Sequence, residues 1–331
     1  KPAMAPSSIK RVVLVYNPVG GRKKAQRTVD RIVAPMLQEK GIELVLQPTK
    51  YAGHAEELGK TLDLSDVDAL VGMGGDGTVS DVLTGFMKRE EEPTCALGFI
   101  PAGTGNVIMR EVLGVKTVGG KEDAVRAAVE AIVGGRTRAV DCQQLDMTGN
   151  DGEPLTRFSL NTVMAGFGPD ANAVAERRRW LGPMRYDISV KTEILKLPCR
   201  KPLPAMLTVD GEATQLDDLF LFTCFVNKHT GIRHRLAPFA QFDDGKLDLC
   251  YTNRPLRSIP KAAKLDGQIK SGGKHVNDPI VTMKQTRSVV LETSAPAKLM
   301  VDGDLLGTTP LAITVREGAF RMLTPETPAP S

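Results

Sequence analysis

At 331 residues the chain is long enough for two domains, each with a core of its own. Its 41% hydrophobic and 25% charged residues are ordinary globular proportions, and a formal charge of +4 gives no sign of a nucleic-acid partner. The longest near-apolar run, residues 219–226, falls far below the ~20 residues of a membrane-crossing helix. The five cysteines, Cys95, Cys142, Cys199, Cys224 and Cys250, are scattered and lack C-x-x-C spacing, so neither a disulfide framework nor a zinc site is expected. That usage predicts a reducing, cytoplasmic setting. Residue 1 is lysine rather than methionine, so the lack of a targeting signal carries no weight.

Residues 1–8 read as an unstructured lead-in. Arg11-Val12-Val13-Leu14-Val15-Tyr16 is a buried strand ended by Asn17-Pro18, and Gly20-Gly21-Arg22-Lys23-Lys24 follows. Val29, Ile32, Val33, Met36 and Leu37 then repeat at helical spacing as far as Gly41, with Pro35 expected to kink the helix. A second strand over 42–46 leads through Pro48-Thr49 to a polar turn at Gly53-His54 and a short helix. Within that helix Gly59-Lys60-Thr61 imitates the end of a P-loop, but His54 stands where the pattern requires glycine, so the match is set aside.

The apolar run Ala69-Leu70-Val71 is followed by Gly74-Gly75-Asp76-Gly77-Thr78 and then by Val79, Val82, Leu83, Phe86 and Met87 at helical spacing. This is strand, glycine turn, helix. A strand over 96–100 ends in Pro101-Ala102-Gly103-Thr104-Gly105-Asn106 before a helix containing Val107, Ile108 and Val112. Another helix over 122–133 closes at Gly134-Gly135. Alternating strands and helices up to about residue 135 predict a mostly parallel sheet with helices on both faces. Three polar glycine turns, 17–21, 74–78 and 103–106, follow strands of that sheet. Ligands of such sheets sit at the carboxyl ends of the strands, so the three turns are expected to converge on one site.

The chemistry of the central turn is that of an anion cradle, because side-chain-free backbone approaches a phosphate closely and the N–H groups that open a helix point at it. Asp76 is the anomaly. Two like unit charges ~4 Å apart repel by roughly 4 kcal/mol at an effective dielectric of ~20. Either a metal ion offsets the carboxylate or the aspartate does chemistry beside the phosphate; the plain alternative is a tight turn with a helix-capping Asp.

After residue 135 the texture is β-rich, with strand-like runs at 137–147, 157–163, 207–209, 219–226, 247–251, 280–283, 288–292, 298–301, 311–315 and 320–323. Helical segments interrupt it at 171–179, 187–197 and 256–265. The fold class is therefore α/β plus β, with an N-terminal doubly wound unit over 9–135, a β-rich unit over 136–324 whose last strand returns to the first domain, and a frayed tail over 325–331.

Asn17-Pro18-Val19-Gly20-Gly21, the cradle with Asp76, and Pro101-Ala102-Gly103-Thr104-Gly105-Asn106, in that order, resemble the diacylglycerol kinase catalytic domain superfamily. Gly166-Phe167, Asp170, the run from Arg178 to Tyr186 through Trp180, Pro183 and Arg185, Asp243-Asp244-Gly245-Lys246-Leu247-Asp248, and Val301-Asp302-Gly303-Asp304 resemble its sphingosine kinase and ceramide kinase branch. The resemblance covers about residues 9 to 324. It implies a lipid kinase with a nucleotide-binding domain, a β-sandwich-like lipid-binding domain and a cleft between them, using ATP and Mg2+.

It further implies that Asn17, Gly20, Gly21, Thr49, Gly75, Gly77, Thr78, Gly103 and Thr104 line the ATP site. Asp76 is then the base that takes the proton of a lipid hydroxyl, and Asp81, where the branch usually has Glu, supports it. Arg179 and Arg185 reach the phosphates. Asp302 stands near magnesium or assists as base. Phe167, Asp170 and Asn172 face the lipid. Sphingosine kinases place an Asp where this chain has Asn172, and the neutral amide loses the charge assistance that strengthens a hydrogen bond to an ammonium. The Arg179 to Tyr186 run favours a sphingoid lipid, with ceramide, diacylglycerol and monoacylglycerol as alternatives.

Three further features have plainer readings. The run Arg177-Arg178-Arg179-Trp180 is either a solvated helix face or, with the apolar residues after it, a lip for a membrane surface, the basis for expecting peripheral membrane association. His54, His229, His234 and His275 are at no metal-ligand spacing and are expected to be structural. Val209-Asp210-Gly211-Glu212 looks like the sequence around Asp302, and order along the chain favours Asp302 as the functional copy. Two other classes compete. Gly72, Gly74 and Gly77 match the dinucleotide fingerprint of a nicotinamide-dependent dehydrogenase, which lacks its ribose-binding acid over 96–102. A catalytically silent lipid-binding module of the same fold is opposed by the intact Asp76 and glycine turns.

Overall fold

β1 (Arg11–Tyr16) is buried from Val12 onward and sits between two neighbours, β2 (Glu43–Pro48) and β3 (Ala69–Gly74), with β4 (Ala96–Pro101) beyond β3. All of these pairings are parallel, with Leu14 opposite Leu46 on one side and Val71 on the other, and Gly72 opposite Phe99. β3 and β4 are buried throughout, as their unbroken apolar sequence requires of strands covered on both faces. The structure, a computed structural model, describes residues 7–20, 24–103, 106, 109, 122–182, 184–228 and 235–325, with the side chain of Arg179 excepted. It divides into two units, Lys1–Asp141 with Glu317–Ser331, and Cys142–Arg316.

In the first unit the helix after β1 is built in pieces: α1 (Ala25–Thr28), a π turn (Val29–Val33) and α2 (Ala34–Glu39). The break expected at Pro35 appears as this widened turn just before it, where the Ala34 N–H reaches back to Val29 O and the ring occupies the opening turn of α2. α3 (His54–Thr61) lies on α4 (Asp76–Met87), and their backbones touch at two glycines. A Cβ on Gly85 would overlap Glu56 O, and one on Gly59 would fall 2.7 Å from Val82 O. Gly59 is therefore a helix-packing glycine, which accounts for the false P-loop. α5 (Glu122–Gly134) buries Val125, Ala128, Val129 and Ile132. The last strand of the chain pairs in parallel with β4 at Met322 and Leu97.

The second unit is a two-layered β-structure. Its strands are the later part of β5 (Thr137–Gly149), β6 (Pro154–Ser159), β7 (Thr162–Gly166), β8 (Ala205–Val209), β9 (Glu212–Leu216), β10 (Leu221–Phe225), β11 (Leu247–Thr252), β12 (Val281–Thr286), β13 (Ser288–Thr293), β14 (Lys298–Val301) and the first part of β15 (Asp304–Leu323). One layer runs β12-β11-β10-β7-β14, and β15, β13, β8 and β9 continue into the other. Strand alternation sorts the core. Ala165, Phe222, Cys224, Leu249, Leu299 and Val301 face the interior, where Leu207, Leu291 and Ile313 meet them. Met164, Leu221, Cys250 and Met300 face the opposite way, under helices α6 (Phe167–Glu176), α7 (Met184–Leu195) and α8 (Ile259–Lys270). β9 was invisible to periodicity because all of it but Leu216 is exposed.

Candidate functional site

β3 ends at Gly74, and Gly75 takes the N-cap position of α4 in an extended conformation, φ −90° and ψ −175°, with no side-chain cap. The amides that open α4, beginning at Asp76, thus have no intrahelical acceptor, the arrangement that receives an anion. The turn after β4 closes on this one. Ala102 N and Gly103 N donate to Gly74 O at 2.8 and 3.1 Å, and a Cβ on Gly103 would overlap Gly75 Cα. Asn106, at φ 49°, holds that turn shut, accepting from Gly103 N at 3.0 Å and donating to Gly103 O at 2.8 Å.

Asn17 opens the remaining turn, accepting from Val19 N at 3.1 Å through Oδ1 and from Gly20 N at 2.9 Å through its carbonyl. Thr49 N donates to Tyr16 O at 2.9 Å, which fixes the end of β2 beside it. Asn17, Thr49, Gly75 and Gly103 all stand at the carboxyl edge of the sheet, and two of the turns are in direct contact. Gly20, Asp76, Gly77, Thr78 and Asp81 are half-buried. Gly21 and Thr104, also expected here, lie outside the described residues. Gly72 lies inside β3 between Val15 and Phe99 rather than in the turn, so the fingerprint's first glycine serves sheet packing.

In the second unit, Phe167, Asp170 and Asn172 sit on α6, which leaves β7 without a connecting loop. Gly166, at φ 84°, makes this corner, and a Cβ there would lie 2.5 Å from Phe220 O. Phe167 N donates to Phe220 O at 2.8 Å and the two rings lie 5.0 Å apart. Asp170 is ion-paired with Lys298 at 3.2 Å. Asn172 is nearly buried and its Nδ2 donates to Gly303 O at 3.0 Å.

Asp302 and Asp210 prove to be the same turn device. Each begins an Asp-Gly hairpin with positive φ, 51° and 102° for Asp302-Gly303, 49° and 89° for Asp210-Gly211. Asp302 Oδ1 accepts from Ser159 Oγ at 2.6 Å and Thr162 N at 3.1 Å. Asp210 Oδ1 accepts from Ser288 N at 2.9 Å and Arg287 N at 3.0 Å. Burial pushes the Asp210 carboxyl up, but the hydrogen bonds from Thr286, Arg287 and Ser288 outweigh it and hold the group below the usual range. They differ in depth, since Asp302 is buried and Asp210 is exposed.

Arg179 falls in a short 3-10 turn, Arg179–Leu181, and Arg185 pairs with Glu176 at 3.1 Å while donating to the Tyr186 hydroxyl at 2.8 Å. Arg178 donates to Thr192 Oγ1 at 3.2 Å, so only part of the basic run faces solvent. Trp180, Met184 and Leu195 are well exposed beside it. No helix among the described residues is long and apolar enough to cross a membrane.

Among the described residues no group of three or more His, Cys, Asp or Glu side chains is placed to hold a metal ion. A magnesium carried by nucleotide phosphates needs only one or two carboxylates from the protein, and Asp302 offers one whose Oδ1 already accepts two hydrogen bonds. The cysteines form no disulfide, and burial pushes the Cys250 thiol up to about 12. His275 is buried, its Nε2 against Leu236 O at 3.1 Å, and desolvation lowers its pKa. His54 Nδ1 accepts from Lys50 N at 3.1 Å. His229, His234 and Pro183 lie outside the described residues.

Residues 11–145 match the family described as "Diacylglycerol kinase catalytic domain", and residues 161–324 match the "YegS C-terminal NAD kinase beta sandwich-like domain". The chain belongs to the diacylglycerol kinase catalytic domain superfamily. Relatives within the superfamily include sphingosine kinase 1 of Arabidopsis thaliana, 29% identical over 327 residues, which cover 86% of this chain and 65% of the relative. The chain thus spans about two thirds of the length of that plant enzyme. Diacylglycerol kinase of Mycobacterium tuberculosis (strain ATCC 25618 / H37Rv) is 29% identical over 319 residues, 96% of either chain. The superfamily fold is matched by the crystal structure of a diacylglycerol kinase from Bacillus anthracis str. Sterne, with TM-score 0.73, 22% identity and coverage of 97% and 99% of the two chains.

Sequence reading missed Ser159, Thr162 and Lys298. Ser159 and Thr162 lie 143 and 140 residues from the Asp302 they hold, and Lys298 lies 128 from Asp170, so only folding brings them together.

Proposed function

We propose that this chain is an ATP-dependent lipid kinase that transfers the γ-phosphate to a primary hydroxyl of a lipid, a sphingoid lipid or an acylglycerol. The observation that carries this reading is the contact between Gly75 and Gly103, two side-chain-free turns pressed together at the N-terminus of α4, with Asp76 at its first position. Phosphoryl transfer is catalysed by positioning and by neutralising charge on the transferring group rather than by covalent chemistry. In this reading Asn17, Gly20, Gly21, Thr49, Gly75, Gly77, Thr78, Gly103 and Thr104 hold the nucleotide, and Arg179 and Arg185 approach its phosphates. Asp76 accepts the proton of the attacking hydroxyl, with Asp81 further along α4 in support. Magnesium, when bound with the nucleotide, would supply positive charge to the phosphates, with Asp302 the carboxylate proposed to hold it.

The names of the relatives support either acceptor, sphingosine kinase for one and diacylglycerol kinase for another. Exposed Trp180, Met184 and Leu195 beside exposed Arg177 support peripheral contact with a lipid surface. The test is to incubate the protein with labelled ATP, magnesium and separate micelles of sphingosine, ceramide, diacylglycerol and monoacylglycerol. Label in at least one lipid is expected; ATP turnover with no labelled lipid, or no turnover with any of them, would overturn the proposal.

A further inference from the structure

A cavity of about 300 Å³ in the second unit is lined by Phe167 and Asp170 of α6, Glu193 of α7, and Lys196, Cys199 and Arg200 beyond it. Four of these six residues are charged, yet each already has its opposite. Glu193 pairs with Lys196 at 2.6 Å, Arg200 with the buried Asp218 at 3.1 Å, and Asp170 with Lys298 at 3.2 Å. The first pair is local to the cavity wall and the second is anchored in the interior. The third is different, because Lys298 comes from another element, the first residue of β14.

Strand alternation explains how it arrives there. Leu299 and Val301 point into the β-sandwich interior, so Lys298 and Met300 point to the layer that carries α6 and α7. Met300 is buried under those helices, while Lys298, at the strand's edge, stays half in solvent and reaches Asp170.

We propose that Lys298 is a specificity-determining residue: by neutralising Asp170 at the cavity wall it selects lipids with an uncharged head group over lipids that carry an ammonium. With Lys298 in place a second cation entering beside Asp170 meets a like charge and no unpaired carboxylate. Discrimination of this kind comes from the repulsive element rather than from added affinity for the preferred ligand. The proposal rests on the lipid-kinase reading for its biological meaning, although the cavity's choice of head group is a property of binding alone. Asp170, ion-paired with Lys298 at 3.2 Å, is then silent toward an ammonium until that partner is removed.

The test measures lipid binding without nucleotide, by titrating the full chain with non-ionic detergent micelles containing either sphingosine, whose amine is protonated near neutral pH, or monooleoylglycerol, whose head is uncharged. Lys298→Gln should raise affinity for sphingosine about three- to fivefold, the scale of a partly exposed charge pair, and leave monooleoylglycerol binding unchanged. Adding Asp170→Asn to that variant should cancel the gain. An unchanged sphingosine affinity, an equal change for both lipids, a gain that survives removal of the Asp170 charge, or no lipid binding at all would each overturn the proposal. Because no ATP is present, these outcomes are read independently of whether the chain is a kinase.

Discussion

Gly103 lies so close to Gly75 that a Cβ on Gly103 would overlap Gly75 Cα, whereas a Cβ on Gly75 would stop 3.4 Å from Gly103 Cα, at ordinary van der Waals contact. The two glycines of one contact are therefore unequal. Backbone cannot yield to a methyl group as a flexible side-chain end can, so Gly103→Ala must push the turns apart. A cost of about 1–3 kcal/mol is expected for such overpacking, together with weakened nucleotide binding. Gly75→Ala should be nearly neutral for folding. Thermal unfolding of both variants checks this; equal effects would show that the approach of the two turns is not what requires glycine.

Asp302 is held by a buried hydroxyl. The Ser159 Oγ bond to its carboxylate is 2.6 Å long and charge-assisted, a class worth about 1.5–3 kcal/mol. Ser159→Ala should destabilise the second unit by that amount, measured by denaturant unfolding. The equivalent trimming at the exposed copy, Ser288→Ala beside Asp210, should cost less than about 1 kcal/mol, because that hydroxyl lies at 3.4 Å and Asp210 keeps its two backbone donors.

Asp248 gives a pH dependence. It is almost wholly buried on β11, and burial, then the nearby Asp244 charge, pushes its carboxyl up to about 6. A carboxyl raised in the folded state favours folding while protonated. Its contribution is full below about pH 4, the ordinary carboxylate range, and is lost as pH rises through about 6. Asp248→Asn should therefore stabilise the protein by at most about 3 kcal/mol at pH 7.5 and not at all near pH 4, in buffer free of divalent cations. Unfolding curves at the two pH values decide it; an equal gain at both would assign the effect to packing instead of charge.

What was legible in the sequence depended on contact range. The buried strands of the first unit announced themselves as unbroken apolar runs, and the turns at Asn17, Gly74 and Gly103 by their glycines and their position after strands. The contact that joins Gly75 to Gly103 was not legible, since it depends on β3 and β4 being neighbours in register. Gly59 misled because a helix-packing glycine and a phosphate-loop glycine look alike until α3 is seen lying on α4. β9 escaped for want of any apolar alternation. The second unit's charges were read singly, as Asp170 and Asp302, while their partners Lys298 and Ser159 came from elsewhere in the fold. Asp210 and Asp302 could not be told apart by pattern because they build identical turns; burial separates them.

The central claim is that Asp76 takes the proton of an incoming alcohol at the mouth of a glycine cradle. Asp76→Asn keeps the shape of the side chain and removes its basicity, so nucleotide binding, measured by titration calorimetry, should persist while lipid phosphorylation falls about 10²-fold or more, the scale of general-base catalysis. Lipid phosphorylation close to that of the unaltered protein would contradict the account.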